Sequence, residues 1–128
     1  MFYIHLGLNK TGTSAIQDFL YLNRDRLPQH GFVYSEVGLC DAAHHGIAHL
    51  LNGGEALDEL ESCFRKLKSS KKNIVISSEA LLDVQRPEHL REVLGNADAR
   101  VIIYLRNPIE HVISWWQEDI KSGIVACN

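Results

Sequence analysis

The chain has 128 residues, the size of a single domain with its own hydrophobic core. Its composition, 45% apolar and 23% charged, is that of an ordinary globular protein, and no apolar run approaches the ~20 residues of a membrane helix. The net charge of −3 argues against nucleic-acid binding driven by overall charge, so an anion site has to be built locally. We therefore expect one cytoplasmic domain over residues 1–128, with neither nucleic acid nor membrane as a partner.

Three cysteines, Cys40, Cys63 and Cys127, stand at wide spacings and form no CxxC or Cys/His metal pattern. We expect free thiols in a reducing compartment, buried as small hydrophobic residues.

Short apolar runs alternate with helical patterns along the chain. Predicted strands span 2–6, 32–34, 74–77 and 101–105. Three of them are nearly continuous in apolar residues, which predicts cover on both faces, as in a parallel sheet. Predicted helices span 13–27, 43–51, 55–68 and 87–94, and a last one begins at 108 with Asn107 as its cap. This alternation predicts an α/β fold.

Two of these helices have apolar stripes at three- and four-residue steps. The first stripe comprises Ile16, Phe19, Leu20 and Leu27, and the last comprises Ile109, Val112, Ile113, Trp116 and Ile120. We expect Trp116 to lie in the core. Trp115 lies off this stripe. It is either a half-exposed packing residue or a contact to a ligand or partner.

The segment GLNKTGTS follows the first predicted strand and opens the first helix. Gly7, Gly12 and Ser14 match the phosphate-loop pattern G-x-x-x-x-G-K-[ST]. Thr13 stands at the lysine position, and Lys10 lies three residues earlier. No predicted strand ends in an aspartate suited to magnesium, so the pattern indicates a phosphate-ester site that uses a lysine and no metal. The alternative is an ordinary tight turn with a surface lysine.

A second candidate anion site lies in the segment YLRNPIEHVISWW. Arg106 ends a predicted strand, where open α/β sheets bind ligands, and Ser114 lies about two helical turns further on. A guanidinium and a hydroxyl suit a second phosphate. The alternatives are a structural ion pair for Arg106 and a solvated position for Ser114.

Together the two motifs resemble those of the sulfotransferase family. LNKTGTS is similar to its 5′-phosphosulfate loop, usually P-K-[ST]-G-[ST]-[ST], and YLRNPIEHVISWW to its 3′-phosphate motif, an Arg-x-Pro start with a Ser eight residues after the Arg. VISSEALL resembles the family's third-strand segment. The resemblance implies a three-layer P-loop-type fold, with a mainly parallel sheet of about four strands flanked by helices and the first strand between the third and fourth.

The resemblance also implies a reaction and a cofactor. The family transfers a sulfuryl group from 3′-phosphoadenosine 5′-phosphosulfate (PAPS) to a hydroxyl or amine without a metal, and leaves adenosine 3′,5′-bisphosphate. By this resemblance, Lys10 neutralises charge on the leaving bisphosphate, and Arg106 and Ser114 hold the 3′-phosphate. The 5′-phosphate is held by Thr11, Gly12, Thr13 and Ser14.

The sequence also departs from the family's pattern. Asn9 replaces the usual proline, and Ala15 stands where many members carry an aromatic residue that stacks on adenine. Family members are longer and have a later Arg/Lys-Gly segment that nothing in KSGIVACN replaces. The resemblance therefore leaves open whether this chain is a truncated domain of the family. The acceptor, a small molecule or a carbohydrate, and the oligomeric state are open as well, although a free sheet edge after the fourth strand is compatible with a homo-oligomer.

Candidates for the base that takes the acceptor's proton are Glu79, at the end of a predicted strand, and His45 or His44 in DAAHHGIAHL. The alternatives are a helix-capping role for Glu79 and partly buried helix positions for the histidines. His45 and His49, four residues apart, form at most an incomplete metal pair, so no metal is expected.

Two other functions compete with a sulfotransferase. One is a truncated nucleotide-binding module or pseudoenzyme without turnover. The other is a small nucleotide kinase-like phosphotransferase, against which the position of Lys10 and the missing magnesium ligand both count.

Overall fold

The computed structural model describes residues 1–53 and 57–123, so Glu55 and Cys127 lie outside the described residues. Within them, four strands form one all-parallel sheet in the order β2-β3-β1-β4. The strands are β1 (Phe2–His5), β2 (Phe32–Tyr34), β3 (Asn73–Ser77) and β4 (Ala99–Ile102). The predicted α/β class and the position of β1 between β3 and β4 are confirmed.

Helices connect the parallel strands. The α-helices are α1 (Thr13–Leu22), α2 (His45–Gly53), α3 (Leu57–Ser69), α4 (Pro87–Leu94) and α5 (Pro108–Lys121), and 3₁₀ turns span Leu27–His30 and Glu79–Asp83. The cap of α5 is as predicted, because the Asn107 side chain accepts a hydrogen bond from the backbone N–H of Ile109 at 3.0 Å. Helix α1 is shorter than predicted: Asn23 donates a side-chain hydrogen bond to the Phe19 carbonyl and ends the helix.

The main hydrophobic core lies on one face of the sheet, which we call the packed face. Phe2 and Ile4 of β1 and Ile74 and Ile76 of β3 point into it, as the period of two along a strand requires. Helices α2, α3 and α4 cover these strands with buried side chains, namely Ile47, Leu51, Leu60, Phe64 and Val93. The ring of Phe64 stacks on that of Phe2 with 5.4 Å between centroids.

The opposite face, which carries Tyr3 and Val75 and lies beside α1, is the open face. It is covered only in part, and two predictions are wrong here. Phe19 is exposed, and Trp116, expected in the core, is 54% exposed because the apolar stripe of α5 does not pack on the sheet. Helix α1 instead buries Thr13 and Gln17, which are polar.

Strand β4 begins and ends earlier than predicted, and all four of its residues are exposed. It pairs with β1 from Phe2↔Ala99 to His5↔Ile102. Residues 103–105 have no strand to pair with, because β1 leaves the sheet after His5 to form the loop before α1. The expectation that this apolar run is covered on both faces is therefore wrong.

Cys40 and Cys63 are free thiols, but Cys40 is exposed rather than buried. Among the described residues, no helix has both the length and the apolar character needed to cross a membrane.

Candidate functional site

The loop between β1 and α1 contains three residues in left-handed backbone conformations. Gly7, Lys10 and Gly12 all have positive φ angles, of 33°, 65° and 84°. This region is unfavourable for a residue with a Cβ atom, so Lys10 holds a strained conformation of the kind that clusters at functional sites. Thr11 stabilises the turn by donating its hydroxyl hydrogen to the Leu8 carbonyl at 2.6 Å. Gly12 caps α1, whose first N–H groups therefore face the loop.

The base of this loop is tightly packed. A Cβ atom at Gly7 would overlap Cγ2 of Thr13 and would lie 3.1 Å from Nε2 of His5. Both neighbours are buried. Only glycine fits at this position, which holds the loop down on the end of the sheet.

The two predicted anion motifs meet in space. Nη1 of Arg106 donates a hydrogen bond to the carbonyl oxygen of Lys10 at 3.0 Å. The guanidinium therefore lies on the same side of the sheet as the loop, at the carboxyl ends of β1 and β4. Nε of Arg106 also contacts Glu110 at 3.3 Å.

One side of α5 rests on the loop through polar contacts. Nε2 of His111 lies 2.8 Å from the carbonyl oxygen of Asn9 and 3.0 Å from Nε1 of Trp115, and it serves one of these partners at a time. Ser114 lies three residues after His111 and four before Glu118, so it shares this side of the helix. It is half-buried. Ser114 therefore lies on the side of α5 that contacts the loop.

Lys10 is engaged by an acidic residue of α5. Its Nζ lies 2.8 Å from Oε2 of Glu118. The ammonium group of Lys10 holds the pKa of the Glu118 carboxyl below its usual range, first by hydrogen bonding and then by charge attraction. A carboxylate therefore contacts the one lysine of the loop.

The candidate base Glu79 lies beside the same lysine. A cavity of about 270 Å³ is lined by Lys10, Thr13, Ser14, Glu79 and Glu118, among others. Oε2 of Glu79 accepts a hydrogen bond from the Gln17 amide at 2.7 Å.

His45 is the second candidate base, and it lies behind Glu79. Its Nε2 is 3.9 Å from Oε1 of Glu79, and its Nδ1 is 2.8 Å from the hydroxyl oxygen of Ser78. The structure thus brings Lys10 and Glu79 to one cavity, with His45 adjoining.

The other histidine in this pair, His44, is not a candidate base. It is completely buried, and the backbone N–H of Ser77 donates to its Nδ1 at 3.1 Å. Nε2 therefore carries the proton and donates to the Ser35 carbonyl at 2.7 Å. Burial lowers the pKa of His44, so the ring is neutral at pH 7 and serves to join β3 to the segment after β2.

His5 lies at the end of β1, directly beneath the loop. It is only 4% exposed, and its Nδ1 lies 2.7 Å from the hydroxyl oxygen of Ser77. Burial lowers the pKa of this imidazole, an effect that the charge of Glu79 partly offsets. His5 is therefore a neutral support of the loop.

Sequence reasoning missed three residues of the site: Gln17, His111 and Glu118. His111 is half-buried against Asn9. The spacing of His111, Ser114 and Glu118 along one side of α5 was a usable signal. Which side of the helix meets the loop, however, depends on how the helix leaves the sheet.

A second cavity, of about 370 Å³, lies on the Arg106 side of the loop and is lined by Lys10, Thr11, Gly12, Tyr104 and Arg106, among others. Lys10 lines both cavities. His49 is exposed, and among residues 1–53 and 57–123 no group of three or more His, Cys, Asp or Glu side chains is arranged to hold a metal ion.

Comparison of the chain with protein-family models, with curated proteins and with solved structures found no match.

Proposed function

We propose that the protein binds PAPS without a metal and transfers its sulfuryl group to a hydroxyl or amine acceptor. The observation that carries this proposal is the contact between the two anion motifs, 3.0 Å from Arg106 Nη1 to the Lys10 carbonyl. Lys10 lies in the loop, and Arg106, 96 residues later in the chain, reaches the same loop. A cofactor with a 5′-phosphosulfate and a 3′-phosphate requires two cationic side chains in such an arrangement.

In this proposal the 5′ end of the cofactor binds at the loop. The first N–H groups of α1 and the hydroxyls of Thr13 and Ser14 hold the 5′-phosphate, with Thr11 and Gly12 shaping the turn. Lys10 stabilises the negative charge that develops on the leaving bisphosphate. The 3′-phosphate binds at Arg106 and Ser114.

The proposed reaction breaks the bond between sulfur and the oxygen of the 5′-phosphate and forms a bond from sulfur to the acceptor oxygen or nitrogen. The electron pair of the broken bond stays on the bisphosphate. The acceptor's proton passes to the carboxylate of Glu79, which lines the cavity beside Lys10, and His45 adjoins Glu79 as the alternative base.

A specific observation favours a second candidate, a nucleotide-binding module without turnover. The ammonium group of Lys10 is paired with the carboxylate of Glu118, and the Gln17 amide donates a hydrogen bond to Glu79. Both groups that the proposed chemistry needs are therefore held by other side chains.

The decisive experiment is a calorimetric titration with adenosine 3′,5′-bisphosphate and with ATP, each with and without Mg²⁺. We expect a preference for the bisphosphate that Mg²⁺ does not change. Lys10→Ala and Arg106→Ala should each weaken this binding by about 10- to 100-fold, the range for loss of a charged hydrogen bond.

Arg65→Ala is the matched control for Arg106→Ala. Each arginine contacts a glutamate four residues away, Glu61 for Arg65 and Glu110 for Arg106. Arg65 lies on α3, away from the loop, and its loss should leave affinity unchanged. A preference for Mg·ATP would refute the proposal in favour of a phosphotransferase. Bisphosphate binding without transfer from ³⁵S-labelled PAPS to any phenol, alcohol or sugar acceptor would favour the module.

A further inference from the structure

The apolar stripe of α5 is exposed to solvent among the residues that the structure describes. Ile109 and Val112 are 72% and 68% exposed, and Ile113 and Trp116 are about half exposed. The polar side of the same helix is already engaged, because His111 and Glu118 contact the loop. The stripe therefore faces away from the chain that carries it.

A complementary apolar groove lies on the open face of the sheet, beside α1. It has a volume of about 320 Å³, and its walls include Tyr3, Ile16, Leu20, Val75, Ile102 and Tyr104. These side chains are those that a crossover helix covers in a three-layer α/β fold. Here the groove is open to solvent.

We propose that α5 of one copy packs its stripe into this groove of a second copy, and that the exchange is reciprocal. Each chain contributes one stripe and one groove, so two contacts related by a two-fold axis close the assembly as a dimer. The exposed parts of the four stripe side chains and of Ile102 and Tyr104 total roughly 700 Å² per copy, close to the ~800 Å² per partner of a standard interface.

The dimer also bears on the anion site. Within the described part of a single chain, the contacts that we identify between α5 and the loop are polar. Exposed polar contacts each contribute little to stability. A partner packed on the opposite side of α5 would fix the helix that carries Ser114. The inference does not depend on which anion binds there.

The test is sedimentation velocity on the full chain over about 1–100 µM. We expect a dimer of twice the 14.5-kDa chain mass. Val112→Glu in the stripe and Leu20→Glu in the groove should each give a monomer with an unchanged circular-dichroism spectrum. Leu82→Glu is the matched control, because Leu82 is 40% exposed but lies in the 3₁₀ turn beside α2. It should stay dimeric.

Mixing the two variants distinguishes stripe-to-groove packing from stripe-to-stripe packing. The Leu20→Glu copy keeps its stripe and the Val112→Glu copy keeps its groove, so the mixture should form a weaker heterodimer. Stripe-to-stripe packing predicts no such recovery. A wild-type monomer at 100 µM, a dimer that survives Val112→Glu, or open-ended assemblies would each overturn the proposal.

Tryptophan fluorescence tests the interface without a substitution in the stripe or the groove. In a Trp115→Phe variant, Trp116 is the single tryptophan and reports on its own burial. Burial in the groove predicts that its fluorescence emission shifts to the red on dilution, at the concentration where the dimer dissociates. Emission that stays constant across a dissociation seen by sedimentation would overturn the assignment of the stripe to the interface.

Discussion

The two faces of the sheet are covered to different extents. On the packed face, α2, α3 and α4 bury Phe2, Ile74 and Phe64 completely or nearly so. On the open face and its edge, α1 buries polar side chains and α5 is held by hydrogen bonds and ion pairs. We infer that the packed face supplies most of the folding free energy. The candidate site lies where exposed polar contacts, rather than a packed core, hold α5 at the loop.

The largest expected effect contrasts two phenylalanines. Phe64→Ala removes a buried ring that stacks on Phe2 and should lower the free energy of unfolding by about 3–5 kcal/mol. Phe19→Ala, on α1 and 63% exposed, should change it by no more than about 0.5 kcal/mol. Urea unfolding followed by circular dichroism measures both. Equal losses would mean that the faces do not differ in stability.

The next effect concerns the loop that joins the two faces. Gly7→Ala places a Cβ against Thr13 and His5 at a positive φ, and we expect a loss of about 3 kcal/mol in unfolding free energy together with loss of anion binding. Gly31→Ala is the control: its φ is 79°, but no atom lies within 4 Å of the added Cβ. It should cost only about 1 kcal/mol and leave binding intact.

The pH dependence of stability tests the buried histidines. The pKa values of His5 and His44 are lowered by burial, so below pH 6.5 these two histidines bind more protons in the unfolded chain than in the folded chain. Stability should therefore be full above pH 6.5 and should fall as pH drops, by at most about 1.4 kcal/mol per pH unit for each histidine. Urea unfolding at pH 7.5, 6.5 and 5.5 measures this. Stability that is constant or rises toward pH 5.5 would contradict the neutral assignment.

The smallest expected effect is at the ion pair on the open side. Glu118→Gln removes the carboxylate that competes for Lys10, and bisphosphate affinity should rise by up to about 5-fold, since exposed ion pairs contribute at most about 1 kcal/mol. Asp119→Asn makes the same change of charge on the next residue of α5 and serves as the control. Calorimetric affinities of the two variants should differ; equal gains would indicate a general charge effect.

Local signals in the sequence predicted much of the architecture. Strand β2 was predicted with its correct bounds, and α1, α4 and α5 with their correct first residues. Helix α4 ends at its predicted last residue, Leu94, and Asn107 caps α5, as expected. These features succeed because a cap, a helix-starting proline or an apolar run acts through neighbours within a few residues.

The errors have a common origin in long-range packing. The periodicity of α5 located an apolar stripe correctly, but periodicity does not specify what covers a stripe, and Trp116 proved exposed. Strand β4 was misplaced because its end depends on where β1 leaves the sheet. For the same reason, His44 and His45 are adjacent in sequence but differ in role, one fully buried and the other beside Glu79.

The sequence by itself determined most of the strands and helices and the two candidate anion motifs, since each element and each motif spans fewer than fifteen consecutive residues. Only the tertiary structure decided that Arg106 meets Lys10, that Glu118 engages the loop lysine and that one sheet face remains open. The contacts of Arg106 and Glu118 with Lys10 join segments about a hundred residues apart in the chain. They are set by the order of strands in the sheet and the direction in which each helix leaves it, which no local pattern records.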